Sequence, residues 1–511
     1  MNILTQNLLP FKYLAEKKEK NLTGLAGLLI YLELFMVLKL DVIIGQNLTI
    51  KQDRQGWTDQ QIVLFLILLN LAGGDSVSDL QYLENDEGFC RILKTMELRG
   101  TTGRKRDKIH KRWRKQVKNT IAHPSSVFRY LSWFINKEDE DKRAQGSAFI
   151  PKPNEHLSKL SLINSELIHF AQKRNPMKRA TLDQDATLSY TNKSTAFFCY
   201  KGPRSYQPFN IWWKEHQMML HTEFRDGNVN AGYDQLRVFQ ESLDFLPEDV
   251  EEVYVRSDSA AYQHELLKYL AEGKNKRFGV IPFTISADIT KALRSNILND
   301  KDLEWHPIYR DIGSGLKRKS NQEWAEISYV PNGLCKSKKS ADYRFIAVRE
   351  KLEEQILPGM EEQIKLPFPT MEIKNVRYKL SAIITNLDWE GEEIIHWHRE
   401  RCGKSEEVHH ILKEELAGGR FPSNQFGENA AWWWITVMSF NIHSIMKQFV
   451  LDEKYRNSRL KTIRFQIMRI PARLVKRDGK FLVYISEGHP SYNYLISARE
   501  RIMELACLPS I

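Results

Sequence analysis

From Ala180 onward the apolar residues change rhythm, and that change limits the folds open to this chain. Thr181–Tyr190 alternates, with Asp183, Asp185, Thr187 and Ser189 on one face and Leu182, Ala186 and Leu188 on the other. Ala196–Lys201 and Met218–Arg225 read as two further strands, the second running into the turn sequence Arg225-Asp-Gly-Asn228. A helix with Leu236, Phe239, Leu243 and Leu246 on one stripe ends at Pro247. Strand Val253–Arg256, a helix around Leu266–Leu270 and strand Phe278–Phe283 follow.

Three strands, a helix, a strand, a helix and a strand fit a mixed α/β sheet of the ribonuclease-H kind, whose first and fourth strands are neighbours. That adjacency brings together Asp185 and Asp258, which are 258 − 185 = 73 positions apart in sequence. A third acid, Glu406, lies 406 − 258 = 148 positions further on and opens a helical stretch that continues to Lys413. So long a gap implies an insertion. Strand-like runs at Glu323–Tyr329, Tyr343–Arg349 and Tyr378–Leu387, with basic loops at Lys317-Arg-Lys-Ser320 and Lys336-Ser-Lys-Lys339, make it β-rich. Two carboxylates from a sheet and one from a helix can hold a pair of hard divalent cations.

Charge says what such a pocket would act on. The 511 residues carry a formal charge of +11, which points to a polyanionic partner. The stretch Arg99–Lys118 holds ten of the basic residues (Arg99, Arg104, Lys105, Arg106, Lys108, Lys111, Arg112, Arg114, Lys115, Lys118) against the single acid Asp107. Trp113 sits among them, and dense charge with an aromatic suits phosphate contacts. The alternative is a solvated basic helix face.

Residues 1 to about 170 read as helical, with Thr58-Asp-Gln-Gln capping an amphipathic helix and Ser76-Val-Ser-Asp-Leu80 beginning another. Leu22–Ile44 has membrane length, but Glu33, Lys39 and Asp41 interrupt it, so a buried helix is expected and no membrane partner. Five cysteines without pairing rhythm suit a reducing compartment, and the expected location is cytoplasmic, on the nucleoid when DNA is bound. Asn429–Met446, with Trp432-Trp-Trp434, is apolar all round and reads as a buried helix. Ile463–Ser486 reads as a hairpin turning at Asp478-Gly479, and Ser497–Leu505 as a last amphipathic helix. His396, His398, Cys402, His409 and His410 cluster in sequence, but their spacing matches no zinc-finger pattern.

Four blocks resemble the DDE transposases of bacterial insertion sequences, and specifically the family named after insertion sequence 1380. They are Leu182-Asp-Gln-Asp-Ala-Thr187; Phe224-Arg-Asp-Gly-Asn228; Val255-Arg-Ser-Asp-Ser259; and His398-Arg-Glu-Arg-Cys-Gly-Lys-Ser-Glu-Glu-Val-His-His-Ile-Leu-Lys413, which continues to Gly418-Gly419 and Asn429-Ala-Ala-Trp432. Ile463-Arg-Phe and Ile470-Pro-Ala-Arg473 resemble the family's closing segment. The family pattern is Tyr, two residues, Arg, three residues, Glu, six residues, Lys. Here His398 stands at the Tyr position and four residues separate Arg401 from Glu406, while the six-residue spacing to Lys413 is kept. That spacing favours Glu406 over Glu407.

The resemblance implies a catalytic and metal-binding set of Asp185, Asp258 and Glu406, with Asp183 in support. Two Mg2+ ions are implied, for which Mn2+ can substitute. Arg401 and Lys413 would steady DNA phosphates, and Arg104, Lys105, Arg106, Lys111, Arg112, Trp113 and Arg114 would contribute to DNA binding. The implied reaction is cleavage at the ends of a mobile element, then joining of the 3′ hydroxyl ends to target DNA by two-metal-ion phosphoryl transfer. The implied partners are double-stranded DNA with terminal inverted repeats, target DNA, and a second copy of the chain forming a homodimer on paired ends.

The expected domains are a helical DNA-binding and dimerisation region over 1–170, a ribonuclease-H-like core over 175–290 and 390–450, an insertion domain over 291–389, and a hairpin and helix over 451–511. The rival reading is a catalytically silent DNA-binding protein derived from a transposase. A Holliday-type nuclease of the same fold is weaker, since it does not require the long insertion.

Overall fold

The computed structural model describes residues 21–51, 56–98, 119–300, 302–313, 316–329, 331, 333–334, 342–352, 368–373 and 376–507. The basic stretch at 99–118, with Arg104, Lys105, Arg106, Lys111, Arg112, Trp113 and Arg114, lies outside them, as does the loop Lys336–Lys339. The chain forms two compact units, one from residues 131–444 and one from residues 1–130 with 445–511.

The larger unit is built on a mixed α/β sheet. Its strands are β1 (Arg179–Ala186), β5 (Phe209–Trp213), β6 (Met218–Glu223), β7 (Glu252–Ser257) and β8 (Phe283–Ala287). Between β1 and β5 lie β2 (Ser189–Tyr190), β3 (Phe197–Phe198) and β4 (Arg204–Tyr206), which form a small separate sheet in the order β2-β4-β3. After β8 come β9 (His306–Asp311), β10 (Lys317–Ile327), β11 (Arg344–Lys351), β12 (Thr370–Ile373) and β13 (Val376–Thr385). The large sheet runs β9-β10-β11-β13-β8-β7-β1-β5-β6, with β12 paired to β13. Strand β7 lies parallel to both β1 and β8, whereas β5 and β6 are antiparallel additions. The first and fourth core strands are therefore neighbours, as the ribonuclease-H-like reading requires.

Three expectations need correcting. Ala196–Lys201 is not a strand of the large sheet, because only Phe197–Phe198 pairs there, and within the small sheet. The second core strand is Phe209–Trp213, every residue of which is buried. The strand placed at Phe278–Phe283 instead begins at Phe283. The strands within 291–389 also differ from a self-contained insertion. Thr385 to Ala382 of β13 pair with Thr284 to Ala287 of β8, so these strands widen the core sheet to ten.

A buried ion pair fixes the centre of the sheet. Asp183 and Arg256 are register partners on β1 and β7, and the carboxylate accepts two hydrogen bonds, from Nε at 2.7 Å and Nη2 at 2.8 Å. Arg256 also donates to the carbonyl of Trp397 and to Glu400. The fully buried helix face around Trp432 and Trp433 covers the sheet, with the Trp433 indole donating to Thr222 on β6.

In the smaller unit, Leu22–Ile44 does not form one long helix. Helices Leu29–Val37 and Leu40–Asn47 are broken at Lys39, whose φ is 52°. Helix Asp59–Ala72 starts on the Thr58–Gln61 capping box, and Arg464 donates to the carbonyls of Asn70 and Leu71 at its other end. Strands Ala472–Arg477 and Lys480–Ile485 make the hairpin at Asp478-Gly479, but Leu460–Met468 before it is helical. Leu22–Thr23 adds a third strand, so the two chain ends share one unit and the helix Glu155–Arg174 belongs to the other. Among the described residues no single helix is long and apolar enough to cross a membrane; Asp59–Ala72 and Val77–Asn85 reach that length only as a pair bent by 93°.

Removing one partner of a fully buried pair strands the other charge. Asp183→Ala should therefore lower stability by about 3–5 kcal/mol in urea unfolding, whereas Arg179→Ala, which breaks the exposed pair with Glu252 at the start of the same strands, should leave the midpoint nearly unmoved. Equal effects would contradict this account of the sheet centre.

Candidate functional site

Strand register does the first part of the assembly. Gln184 pairs with Ser257, so the next residues along the two parallel strands, Asp185 near the end of β1 and Asp258 just past β7, come side by side at the C-terminal edge of this pair. That edge is where open α/β sheets present their ligand-binding residues. Asp258 caps the short turn Ser259–Ala261, its carboxylate accepting from the Ala260 amide at 3.1 Å. Burial and then the charge of Asp258 push the Asp185 carboxyl up to about 7, against the opposing pull of Arg401. Asp288, exposed just beyond β8, is also raised, first by partial burial and then by Asp258.

The helix Lys404–His410 supplies the third wall. His409 is buried in it, with Nδ1 3.9 Å from an Asp185 carboxylate oxygen and Nε2 3.2 Å from the amide nitrogen of Asn210. Asn210 is the register partner of Asp185 on β5. Its carbonyl oxygen accepts from the Thr222 hydroxyl at 2.7 Å, and that hydroxyl accepts from the Trp433 indole. This order leaves the Asn210 NH2 facing His409 and so assigns the imidazole proton to Nδ1, towards Asp185. Desolvation and the charge of Lys413 lower the His409 pKa to about 3, so the ring is neutral.

Lys413, in the π-helical turn Ile411–Glu415 that continues this helix, donates to the Leu188 carbonyl at 3.2 Å and lies close enough to Asp185 to feel its charge. Arg401 is buried between the helices Gly391–Arg399 and Lys404–His410, and its Nε has no hydrogen-bond partner among the described residues. Asp185 and Asp183 both feel its charge.

Glu406 is exposed in the first turn of the helix, and Glu407 is paired with Lys404 at 3.2 Å. With His409 turned inward, the helical repeat of 100° per residue puts Glu406 about 60° from that direction and Glu407 about 160° from it. Among the described residues no three His, Cys, Asp or Glu side chains are grouped tightly enough to hold a metal ion. The structure thus joins Asp185 to Asp258, and brings Arg401, His409 and Lys413 to Asp185; it does not close Glu406 onto the pair. As oxygen donors whose charges repel, Asp185 and Asp258 suit a hard divalent cation as two of its ligands.

The clustered histidines disperse. His396 faces Glu392, His398 bonds Thr284 and Ser286, and His410 is exposed, which leaves no zinc set among the described residues. The reading of the sequence missed the contact of His409 with Asp185 and the part played by Asn210. Both lie far from Asp185 in sequence, and the strand that carries Asn210 went unrecognised.

The model of the family "Transposase DDE domain group 1" matches residues 12–507. No curated protein matches the sequence. Among solved structures, the piggyBac transposase synaptic complex with hairpin DNA is similar at a TM-score of 0.42 and 10% identity, over 86% of this chain and 78% of that one.

The raised Asp185 pKa sets a pH dependence. The folded chain keeps a proton that the unfolded chain, with a carboxyl pKa of 3.8, has already released, so the stability it contributes is full below about pH 4 and is lost as pH rises through about 7. In EDTA, wild type should lose on the order of 2 kcal/mol relative to Asp185→Asn between pH 4 and 8. Parallel melting curves for the two proteins across that range would refute the assignment.

Proposed function

Since the chain belongs to the DDE transposase domain family, we propose that it is a DNA transposase that cleaves the ends of a mobile element and joins the 3′ hydroxyl ends to target DNA. The observation that carries this reading is the pairing of Asp185 and Asp258 at the C-terminal edge of adjacent parallel strands, in a half-buried site flanked by cationic side chains. DDE transposase domains generally use divalent metals, and magnesium, with manganese as a substitute, suits these oxygen donors. Bound there, two such ions would activate a water or 3′ hydroxyl and stabilise the leaving oxygen.

The chain's own residues do the rest. Asp185 and Asp258 supply carboxylate ligands, and Glu406, on the inward side of its helix relative to Glu407, is the third. Arg401 offers a buried guanidinium with a donor to spare for a phosphate, and Lys413 offers a second positive charge near the reacting strand. His409, locked by Asn210, holds the Asp185 side of the pocket in place. The four matched blocks favour the family of insertion sequence 1380, terminal inverted repeats as the DNA, and a dimer working on paired ends in the cytoplasm.

One observation favours the rival reading of a silent DNA-binding protein: Glu406 stands outside the aspartate pair. Incubating the protein with the terminal-repeat duplex that flanks its gene separates the two. Magnesium-dependent nicking is expected, lowered by at least about a thousandfold in Asp258→Ala while gel-shift binding persists. Glu406→Gln should behave likewise and Glu407→Gln should retain activity. Binding with no nicking by wild type under magnesium or manganese would establish the silent reading.

A further inference from the structure

The loop from β1 to β5 carries a feature that the metal pocket does not use. Between Thr187 and Pro208 there is no acidic residue, while Lys193, Lys201 and Arg204 accompany Tyr190, Phe197, Phe198, Tyr200 and Tyr206. Strands β3 and β4 form a tight hairpin whose turn is closed by two backbone bonds, Cys199 N–H to Pro203 and Gly202 N–H to Cys199, at 3.0 and 2.9 Å. Gly202 takes the positive φ of 101° that the turn requires. Tyr200 and Lys201 are thereby held at the tip, and Tyr200 is 79% exposed.

The hairpin beneath that tip is braced. Gln145 bonds both the amide and the carbonyl of Phe198, at 2.9 and 3.2 Å. The Arg204 guanidinium lies 4.3 Å over the Phe198 ring and donates to the Ser194 carbonyl. Lys201 lies over the Tyr200 ring at 5.6 Å. A large aromatic projected into water on a rigid turn gains nothing from the fold and is preorganised for a planar partner. The location narrows that partner. The loop leaves β1 directly after Asp185 and Ala186 and its Leu188 carbonyl accepts from Lys413, so the hairpin belongs to the same edge of the sheet as the aspartate pair, and Lys413 feels the charges of both Asp185 and Lys201.

We propose that the Phe198–Arg204 hairpin is a base-stacking wedge, in which Tyr200 stacks on a base of the DNA strand next to the phosphate being cut and Lys201 and Arg204 contact the flanking phosphates. The proposal rests on the transposase reading for its DNA but concerns a surface outside the metal pocket. Aromatic stacking contributes to single-strand and distorted-duplex binding without sequence readout, and an aromatic wedge steadies a base that has left its helical stack. A strand opened at the cleavage site is the substrate such a tip fits.

The test uses the full chain and the terminal-repeat duplex, with 2-aminopurine placed in turn at positions flanking the cleaved phosphate. Read in Asp258→Ala protein, which binds without cutting, the tip should change the fluorescence at one of these positions. Adding Tyr200→Ala should abolish that change, whereas Tyr200→Phe should keep it. In the otherwise wild-type chain, Tyr200→Ala should slow magnesium-dependent nicking by about tenfold and Tyr200→Phe by less than about twofold, with unaltered melting temperature. A fluorescence change that survives Tyr200→Ala, or no change at any position while the protein binds, overturns the wedge. Failure of wild type to nick overturns the transposase reading instead, and leaves the fluorescence result to judge the wedge alone.

Discussion

The parallel pairing of β1 with β7 is the constraint on which the site depends. A parallel ladder keeps both strand ends at the same edge of the sheet, so consecutive register partners leave it together. One step inside that edge, Gln184 pairs with Ser257, and two steps inside, the Asp183 carboxylate grips the Arg256 guanidinium. A slip of one residue would part Asp183 from Arg256 in the buried interior and turn Asp185 to the other face of the sheet. The ion pair and the Asp185–Asp258 pair are thus two consequences of one register.

The same register makes the edge electrostatically costly. Two carboxylates leaving adjacent strands repel, and the Asp185 carboxyl resists ionisation because burial and Asp258 act in the same direction. Around Asp185 stand the cationic Arg401 and Lys413 and the desolvated, neutral His409, whereas Asp288 sets a further acid near Asp258. His409 contributes no charge, and the hydrogen bonds from Trp433 through Thr222 and Asn210 leave its ring little freedom to turn. The packing of the tryptophan helix is in this way connected to the orientation of a group beside Asp185. This gives a physical role to Trp433, one residue beyond the block Asn429-Ala-Ala-Trp432, in a helix whose apolar sequence reads as core.

Much of the site was legible because its signals are local. A strand ending in Asp, with a turn-forming neighbour, announces itself at Asp258, and alternation marks Asp185. The strand Phe209–Trp213 was not legible for the opposite reason: it is buried on both faces, so Phe-Asn-Ile-Trp-Trp shows no alternation to count. Without it, the neighbouring Phe197–Phe198 run stood in for the second strand. The joining of the chain's two ends was hidden as well, because Leu22–Thr23 pairs with Ala472–Arg473 across more than four hundred positions and no periodicity reports such a contact. The continuation of the core sheet through β13 was hidden in the same way, since strands reveal their faces in sequence but not their neighbours.

The helix Lys404–His410 shows where spacing and geometry meet. The motif's six-residue interval relates Glu406 to Lys413, yet what fixes the helix's rotation is His409, whose ring lies between Asp185 and Asn210. With that side chain inward, Glu407 is directed away and held by Lys404, while Glu406 and Lys413 fall together on one side, about 60° and about 40° from the inward direction. The additional residue between Arg401 and Glu406, relative to the family's interval, falls in the bend Glu400–Gly403 that separates two helices, where Gly403 takes a φ of 77°. A bend absorbs an inserted residue without changing the phase of the helix that follows, which a continuous helix could not do. The departure from the motif is therefore placed where it leaves the face presented to Asp185 unchanged.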